Sequence, residues 1–321
     1  MPDPFPPIAP VRVRAAGVTH EGPGRDHNED AFGVFEDATS AIAIVADGVG
    51  RTRPGEPAAR RIVDICKDIF RGRSATVLDD LAETWWVGEH GAGSPGARVR
   101  PFSTLPIAER VGLRDNVRRL LDHRVPEAMG DVAVLEAEKE SLLGLPARTL
   151  ARANAELHRR AEKDRSTGAL GGAAACAIFA AGCASIAHVG DARVYRMREG
   201  ALEALTTDHT LVNEYARLRP TLERDLTDEE IAHIPTNVLS RVIGYQDKVD
   251  LDTTSVPVTP GDVFLLATNG FWRAFSETEL LVTLRSRGTG AAAYLVERGA
   301  RRPPEPGAPG DDLTAVVVEV L

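Results

Sequence analysis

The sequence has little cysteine and no long apolar run. Its three cysteines, Cys66, Cys176 and Cys183, are scattered and show no CxxC spacing, which argues against a secreted disulfide scaffold or a zinc knuckle. No apolar run approaches the roughly 20 residues that a membrane-spanning helix needs. The start MPDPFPPIAP lacks the basic and apolar regions of a signal peptide. We therefore expect a cytoplasmic protein without a membrane partner.

An excess of basic residues is also missing. The 321 residues include 38 Lys and Arg against 47 Asp and Glu, a formal net charge of −9. Because a dedicated nucleic-acid binder carries a basic surface, we expect no nucleic-acid partner. Hydrophobic residues make up 43% of the chain, which is typical of a globular protein and allows one large domain or two small ones. The question is where the surplus carboxylates lie.

The chain shows one main composition change. The Pro-rich residues 1–10 predict a flexible N-terminus, and the rest, 11–321, is expected to form a single domain. Within it, a segment rich in Gly, Ser and Pro at about 85–108 predicts an insertion, since long loops inside compact domains are uncommon.

Strand patterns come in runs. Residues 11–16 alternate apolar and polar side chains, and 41–46 form a buried strand. Three β-type stretches between 171 and 198, separated by glycines, predict an antiparallel meander. Residues 263–267 and 313–321 predict two further strands.

Helix patterns fall between those runs. Apolar spacing predicts helices over 57–72 and 148–164. Two residue pairs have capping-box spacing, which marks a helix start: Thr227 with Glu230, and Ser276 with Glu279. Runs of strands with helices between the runs indicate an α+β layered domain rather than alternating βαβ units.

Acidic residues lie at the ends of several predicted strands. They are Glu29-Asp30, Asp47-Gly48 and Asp311-Asp312, while Asn269-Gly270 has an amide at the corresponding place. One such Asp-Gly pair is usually only a turn. Several together, gathered from distant parts of the chain, suit a hard cation such as Mg²⁺ or Mn²⁺. The eight histidines are dispersed and form no competing metal motif.

At this point the motifs resemble those of the metal-dependent Ser/Thr protein phosphatases of type 2C, in their bacterial form. Four matches, three of them made of two stretches each, carry the resemblance in the family's order: RDHNED at 25–30; VADGVG at 45–50 with GEPAA at 55–59; HVGDAR at 188–193 with TTDHTLV at 206–212; and LLATNG at 265–270 with GDDLT at 310–314. The resemblance covers about residues 11–72 and 165–321.

The resemblance implies a fold and a reaction. The fold would be a four-layer αββα sandwich with two central antiparallel β-sheets flanked by helices. The reaction would be hydrolysis of phosphoserine and phosphothreonine in a phosphorylated protein substrate, the product of a Ser/Thr kinase in a signalling system. It would use a water activated between two Mn²⁺ or Mg²⁺ ions. A third, weak ion occurs in some members, for which Asp164 is the nearest acid here.

The same resemblance implies the metal ligands. Asp47 would bridge both ions and so take part in catalysis, and the Gly48 carbonyl would bind one of them. Positions 269 and 311 would hold the other ion, through Asn269 and Asp311.

Further roles carry over around these ligands. Arg25 would clamp the phosphate oxygens of the substrate. Glu29, Asp30 and Asp312 would act through metal-bound waters or from a neighbouring position. By contrast, Gly190-Asp191 and Arg193 are interpreted as structural residues of a central hairpin, and His209 as a buried hydrogen-bonding residue.

Two departures from the family pattern leave an alternative open. Asn269 stands where the family has an Asp, which removes one negative charge from the metal pair, and Asp312 stands where it has an Asn. An amide carbonyl can still ligate Mg²⁺, but we expect it to hold the ion more weakly. The alternative to an active phosphatase is therefore a pseudophosphatase, a binding or regulatory module with weakened metal binding.

Overall fold

The computed structural model describes residues 10–50, 55–72, 140–163, 170–221, 225–303 and 310–321. The chain divides into two compact units, one made of residues 1–8 and 69–142 and the other of 9–68 and 143–321. Both sheets lie in the second unit. The predicted flexible N-terminus and the predicted insertion at 85–108 fall outside the described residues, so the single-domain organisation remains a prediction.

Within the described residues, ten strands form two sheets. The strands are β1 (Val13–His20), β2 (Asp30–Glu36), β3 (Ala41–Gly50), β4 (Leu170–Ala180), β5 (Cys183–Val189), β6 (Arg193–Arg198), β7 (Ala201–Ala204), β8 (Asp252–Pro257), β9 (Val263–Ala267) and β10 (Leu313–Val320). One sheet has the order β1-β10-β9-β6-β7 and the other β2-β3-β4-β5-β8. Every neighbouring pair is antiparallel.

Helices border both sheets. They are α1 (56–72), α2 (Leu145–Lys163), α3 (Leu211–Leu218), α4 (Asp228–Ala232), α5 (Asn269–Arg273), α6 (Glu277–Arg287) and α7 (Ala291–Ala300). Both predicted capping boxes are confirmed, at the starts of α4 and α6. In the described parts of the chain, no helix has the length and apolar character that a membrane span requires.

Burial on both faces of the strands explains the layers. In β3, Ala43 and Val45 belong to the core between the two sheets, where Phe179 and Phe264 meet with ring centroids 5.0 Å apart. Neighbouring side chains on a strand point to opposite faces. Helix α1 covers the face of this sheet that points away from the core between the sheets, since its Cys66 Sγ lies 3.9 Å from Cys176 Sγ on β4.

A second core lies on the outer face of the other sheet. It joins β6, β9 and β10 to helices α5, α6 and α7 through buried side chains such as Leu265, Phe271, Leu284 and Leu295. Together with the core between the sheets, this arrangement is the four-layer αββα sandwich that the resemblance implies.

The predicted meander is wrong in its third strand. β4 and β5 do form a hairpin, but β6 leaves that sheet and pairs with β7 and β9 in the other one. The chain crosses at Gly190, whose φ of +88° is favourable only for glycine, and a Cβ there would lie 2.4 Å from the Ala173 side chain. Strands buried on both faces look alike in sequence, so the pattern does not reveal to which sheet each belongs.

Candidate functional site

Strand pairing places two of the predicted site residues next to each other. Asp30 begins β2 and Asp47 lies near the end of β3, and the two are direct partners in the antiparallel register. Thr268, at the end of β9 in the other sheet, donates a hydrogen bond of 2.7 Å from Oγ1 to Asp30 Oδ2. The site therefore lies where the ends of both sheets approach each other.

Arg25 gathers three carboxylates around its guanidinium. Nη1 donates to Asp311 Oδ1 at 3.0 Å, Nη2 to Glu29 Oε2 at 2.5 Å, and Nε lies 3.3 Å from Asp312 Oδ1. Arg25 thus forms ion pairs with three of the acidic residues that the sequence singles out.

Asp312 is almost completely buried and anchors the loop that carries Arg25. Its Oδ1 accepts from the Gly22 N–H at 3.2 Å and its Oδ2 from the Glu29 N–H at 2.8 Å. Burial raises the pKa of this carboxyl above its usual value. Since backbone donors take both oxygens, Asp312 fixes the loop 22–29 beside the strand β10.

Gly48 lies in a close backbone contact. A Cβ on Gly48 would stand 2.1 Å from the Gly55 carbonyl oxygen, so the position admits only glycine. The Gly48 N–H donates to the Glu29 carbonyl at 3.0 Å, and the Gly55 N–H donates to Glu29 Oε1 at 2.5 Å. Glu29 thereby ties the start of α1 to the end of β3.

The electrostatics of the site favour a bound cation. Burial is the main cause that raises the pKa of Asp30 to about 7, and the charges of Asp312 and Asp311 add to it. Burial likewise raises the pKa of Asp47 well above its ordinary value, with further contributions from Asp30, Asp311 and Asp191. Like charges directly opposite each other in a sheet are destabilising, and an ion between them would remove that cost.

The donor set fits the expected metal. The groups gathered here offer carboxylate, amide and backbone carbonyl oxygens, the ligands that Mg²⁺ and Mn²⁺ prefer. A further carboxylate oxygen, the buried Oδ1 of Asp191, has no hydrogen-bond partner among the described residues. An orphaned buried carboxylate oxygen is costly, and a nearby cation would satisfy it.

Asn269 begins α5 and contacts Asp191. Its Nδ2 donates to Asp191 Oδ2 at 3.3 Å, which leaves the Asn269 carbonyl oxygen as the free atom of the amide. The Trp272 indole N–H donates to the Asp191 backbone carbonyl at 2.9 Å, and Arg273 Nη2 lies 3.5 Å from Asp191 Oδ2. Burial raises the pKa of Asp191 above its usual value.

The sequence analysis interprets Asp191 only as a structural residue and does not predict its contact with Asn269. Asp191 directly follows a glycine at the end of the buried strand β5, so it shows the same glycine-and-acid signal as Asp47-Gly48. That signal could have placed it among the site candidates.

A second cluster of potential metal ligands, His188, His209 and Asp252, is held by hydrogen bonds. The two imidazoles stack at 4.5 Å, and His188 Nε2 lies 2.9 Å from the Thr207 carbonyl. The Gly190 N–H donates to His209 Nδ1 at 3.2 Å, so His209 Nε2 carries the proton toward Asp252 Oδ2, 3.2 Å away. His209 is thus the buried hydrogen-bonding residue that the sequence predicts.

The fold and the site define a class of protein, the two-sheet αββα sandwich with a carboxylate-rich centre and an arginine at the ends of its sheets. The chain belongs to the protein phosphatase 2C family, whose model matches residues 16–295. The enzyme class supported by this membership is the protein serine/threonine phosphatase.

Individual relatives agree with this assignment. The chain is 28% identical over 272 residues to the serine/threonine phosphatase stp of Listeria monocytogenes, an alignment that covers 84% of this chain and 82% of the relative. The structure of the serine/threonine phosphatase Stp1 from Staphylococcus aureus is similar with a TM-score of 0.62, at 19% identity and over 100% of both chains.

A third similar structure contains metal. It is the catalytic domain of the serine/threonine protein phosphatase PstP in complex with two manganese ions, with a TM-score of 0.56 at 22% identity. The similarity covers 96% of this chain and 98% of the other. At this level of identity the likeness concerns the fold.

Proposed function

We propose that this protein is a metal-dependent phosphatase that hydrolyses phosphoserine and phosphothreonine in phosphorylated proteins of the cytoplasm, the products of a Ser/Thr kinase. The observation that carries the proposal is that Asp311 contacts Arg25 at 3.0 Å and also lies near the Asp30–Asp47 strand pair, where burial raises the pKa of both carboxyls and the charge of Asp311 adds to that shift. A guanidinium beside several acids combines a phosphate-binding group with ligands for divalent cations.

Two Mn²⁺ or Mg²⁺ ions fit this site best, and the complex of PstP with two manganese ions supports that number. Asp47 and the Gly48 carbonyl would hold one ion, and Asp47 would share the other with Asp311 and the Asn269 side-chain carbonyl. When bound, such ions polarise phosphoryl oxygens and lower the pKa of a coordinated water. Asp164, suggested for a third ion, lies outside the described residues.

Arg25 would orient the substrate. Its guanidinium is about one-quarter exposed and holds a fixed direction through its pairs with Glu29, Asp311 and Asp312. Such a preset fork binds two phosphate oxygens at once and costs little ordering when the substrate arrives. Removal of the arginine is therefore expected to weaken binding of the phosphoryl group.

The remaining acids would hold the site in shape. Glu29 links Arg25 to the Gly55 N–H, and Asp312 fixes the Arg25 loop through backbone hydrogen bonds. Asp30 is positioned by Thr268 and faces Asp47 across the strand pair. A position beside the ligands suits Asp30 and Glu29 to accept protons from ordered waters there.

The test measures turnover of p-nitrophenyl phosphate and of a phosphothreonine peptide across a Mn²⁺ titration, with EDTA as the metal-removal control. Asp47→Asn is expected to abolish turnover, because it removes the carboxylate shared by both ions. Without added metal, the same variant should be at least as stable to urea as the wild type, because it removes a carboxyl whose charged form is disfavoured by burial and by Asp30. Glu297→Gln, an exposed acid on α7, is the matched control.

Two results would count against the proposal. Turnover that persists in Asp47→Asn, or that is unaffected by EDTA, would show that the assigned carboxylate does not hold a catalytic ion. A loss of turnover accompanied by an equal loss of folded protein would indicate a structural role for Asp47.

The alternative, a pseudophosphatase that binds phosphoproteins, is favoured by one observation. The Asn269 amide donates to Asp191 and contributes no charge to the metal ligands. If the wild type binds a phosphothreonine peptide but shows no turnover at any Mn²⁺ concentration, and if Asn269→Asp restores turnover, the binding module is the correct function.

A further inference from the structure

An open cleft of about 810 Å³ adjoins the carboxylate site. Gly270 and Asp311 line it, together with Trp272, Arg273 and Arg302. Because Asp311 lines the cleft and contacts Arg25 at 3.0 Å, residues that flank a phosphate held at Arg25 would lie within reach of the cleft. The cleft also contains the guanidinium of Arg193.

Two of the three arginines in the cleft are already paired. Arg193 forms a bidentate pair with Asp208, at 2.8 and 2.7 Å, and its guanidinium carbon lies 3.3 Å from the ring centroid of Trp272. Arg302 Nη2 donates to Glu279 at 2.6 Å. These two arginines are held in place by their own acids, so fewer of their donors are open to a ligand than those of Arg273.

Arg273 is different. Its side chain is 42% exposed, and its only acidic contact among the described residues is the distance of 3.5 Å from Nη2 to Asp191 Oδ2. Its guanidinium carbon lies 5.2 Å from the Trp272 ring centroid, a cation–π distance that fixes its direction without using its N–H groups. Most of its five donors are therefore available to a ligand in the cleft.

On the basis of the proposed function, we propose that this cleft binds an anionic group of the substrate near the phosphorylated residue, and that Arg273 is the residue that contacts it. The anionic group is an Asp or Glu side chain or a second phosphate, since a guanidinium fork pairs with either. A positive group here would offset the repulsion that an acidic substrate meets from a protein with a net charge of −9.

Neither of the two acids that line the cleft forms an ion pair with Arg273 among the described residues, and the acid that does approach it, Asp191, also accepts from Asn269. Asp311 is paired with Arg25 at 3.0 Å, and Glu277 is an exposed residue in the first turn of α6. Arg273 thus determines which flanking residues fit, while Arg25 receives the phosphate that is removed. The cleft would make acidic phosphopeptides better substrates than neutral ones.

The test uses phosphothreonine peptides that are identical except at the three positions on each side of the phosphoresidue. One series carries alanine, a second a single Asp or Glu, a third a single phosphoserine and a fourth a single Lys. Turnover of each peptide is divided by turnover of p-nitrophenyl phosphate on the same protein sample. Binding of the corresponding non-hydrolysable phosphonate peptides is measured by fluorescence anisotropy.

We expect at least one acidic position to raise kcat/KM about fivefold over alanine in the wild type, as a partly exposed ion pair would. Arg273→Ala should bring that ratio close to one, and Arg273→Lys should retain part of it. Arg285→Ala, an exposed arginine of α6 outside the cleft, should leave the ratio unchanged. The Asp and phosphoserine series identify which anion is preferred.

The proposal is overturned if the wild type does not discriminate acidic from neutral peptides, or if Arg273→Ala keeps the wild-type ratio. The binding measurement separates this outcome from failure of the proposed function. If the protein hydrolyses nothing, the proposed function is wrong, but the anisotropy ratio between acidic and neutral phosphonates still tests Arg273.

Discussion

Asn269 places an amide beside a buried carboxylate, and this single side chain affects both stability and the expected affinity for metal. Its Nδ2 satisfies one oxygen of Asp191, while the other oxygen, Oδ1, has no partner in the described part of the chain. An aspartate in its place would supply a charged metal ligand but would face Asp191 with a second negative charge. The amide therefore reduces repulsion at the expense of cation binding.

We predict that Asn269→Asp lowers the free energy of unfolding by about 1–2 kcal/mol without metal, because a hydrogen bond is lost and like charges are brought together. Addition of Mn²⁺ should raise the melting temperature of Asn269→Asp by more than it raises that of the wild type, since the new carboxylate binds the ion. Differential scanning calorimetry with and without Mn²⁺ checks both expectations.

The control for this prediction is Asn269→Ala, which removes the hydrogen bond without adding a charge. It should be destabilised without metal and should gain less from Mn²⁺ than Asn269→Asp does. Equal Mn²⁺ responses of the wild type and Asn269→Asp would contradict the assignment of position 269 as a metal ligand.

At the scale of elements, the turn between β5 and β6 is held by a buried histidine. The imidazole of His209 accepts a hydrogen bond from the Gly190 N–H, and the backbone N–H of His209 donates to the Gly190 carbonyl. The imidazole ring faces Asp252 and Arg241. Burial is the largest cause that lowers the pKa of His209, to about 4, and the neighbouring His188 adds to it. The turn that places Asp191 therefore requires a neutral imidazole.

The pKa of His209 predicts how the stability of the protein depends on pH. Its folded-state pKa of about 4 lies below the ordinary value of 6.5, so between these two pH values the unfolded chain binds a proton that the folded chain does not. The contribution of His209 to stability is therefore fully present above pH 6.5 and is lost as the pH decreases toward 4, whereas Asp30, whose pKa is raised to about 7, contributes a slope of the opposite sign. Urea unfolding at a series of pH values from 7.5 to 4.5 measures this slope.

We expect His209→Asn to lose the His209 contribution, so that its stability decreases less than that of the wild type between pH 6.5 and 4.5, because asparagine can accept from Gly190 but does not titrate. The matched control is His233→Asn, at an exposed histidine after α4, which should keep the wild-type slope. A slope that is the same in the wild type and in His209→Asn would exclude His209 as its source.

At the scale of the whole molecule, the two sheets are joined by one apolar core. Phe264 from β9 and Phe179 from β4 meet edge to face across it, and both are fully buried. The site lies where the ends of both sheets approach, so its geometry depends on how the sheets pack. Loss of the contact between the sheets should therefore affect the site as well as stability.

We predict that Phe264→Ala lowers the free energy of unfolding by about 3–5 kcal/mol, because it leaves a cavity between the sheets. Val282→Ala, at a valine of α6 that is 61% exposed, should change it by less than about 0.5 kcal/mol. Chemical unfolding followed by circular dichroism measures both, and a small loss for Phe264→Ala would contradict the packing described here.

The sequence could predict those elements whose signals are local. Continuous apolar runs predicted β3, β9 and β10, and the spacing of Ser276 and Glu279 predicted the start of α6, because caps and apolar periodicity involve neighbouring residues. It could not predict that β6 joins the other sheet. Strands buried on both faces have the same pattern in either sheet.

The features of the candidate site likewise divide into those with a local sequence signal and those that depend on contacts between distant residues. Its motifs stood out in the sequence as acids beside glycines at strand ends, which included Asp47 and Asp311. That Asp30 and Asp47 are direct partners depends on strand register, and that Asp191 contacts Asn269 depends on the packing of α5 against the turn after β5. Both are contacts between residues far apart in the chain, which no local pattern records.

The sequence by itself determined the α+β class, the family motifs and most of the acids proposed for the metal site, since residue type and short spacing suffice for these. Only the tertiary structure decided which sheet each strand joins, that Asp191 lies beside Asn269, and that Arg273 lines a cleft next to the acids. The physical reason is that these features depend on distances between separate elements, which are set by core packing and backbone register rather than by any one segment of the chain.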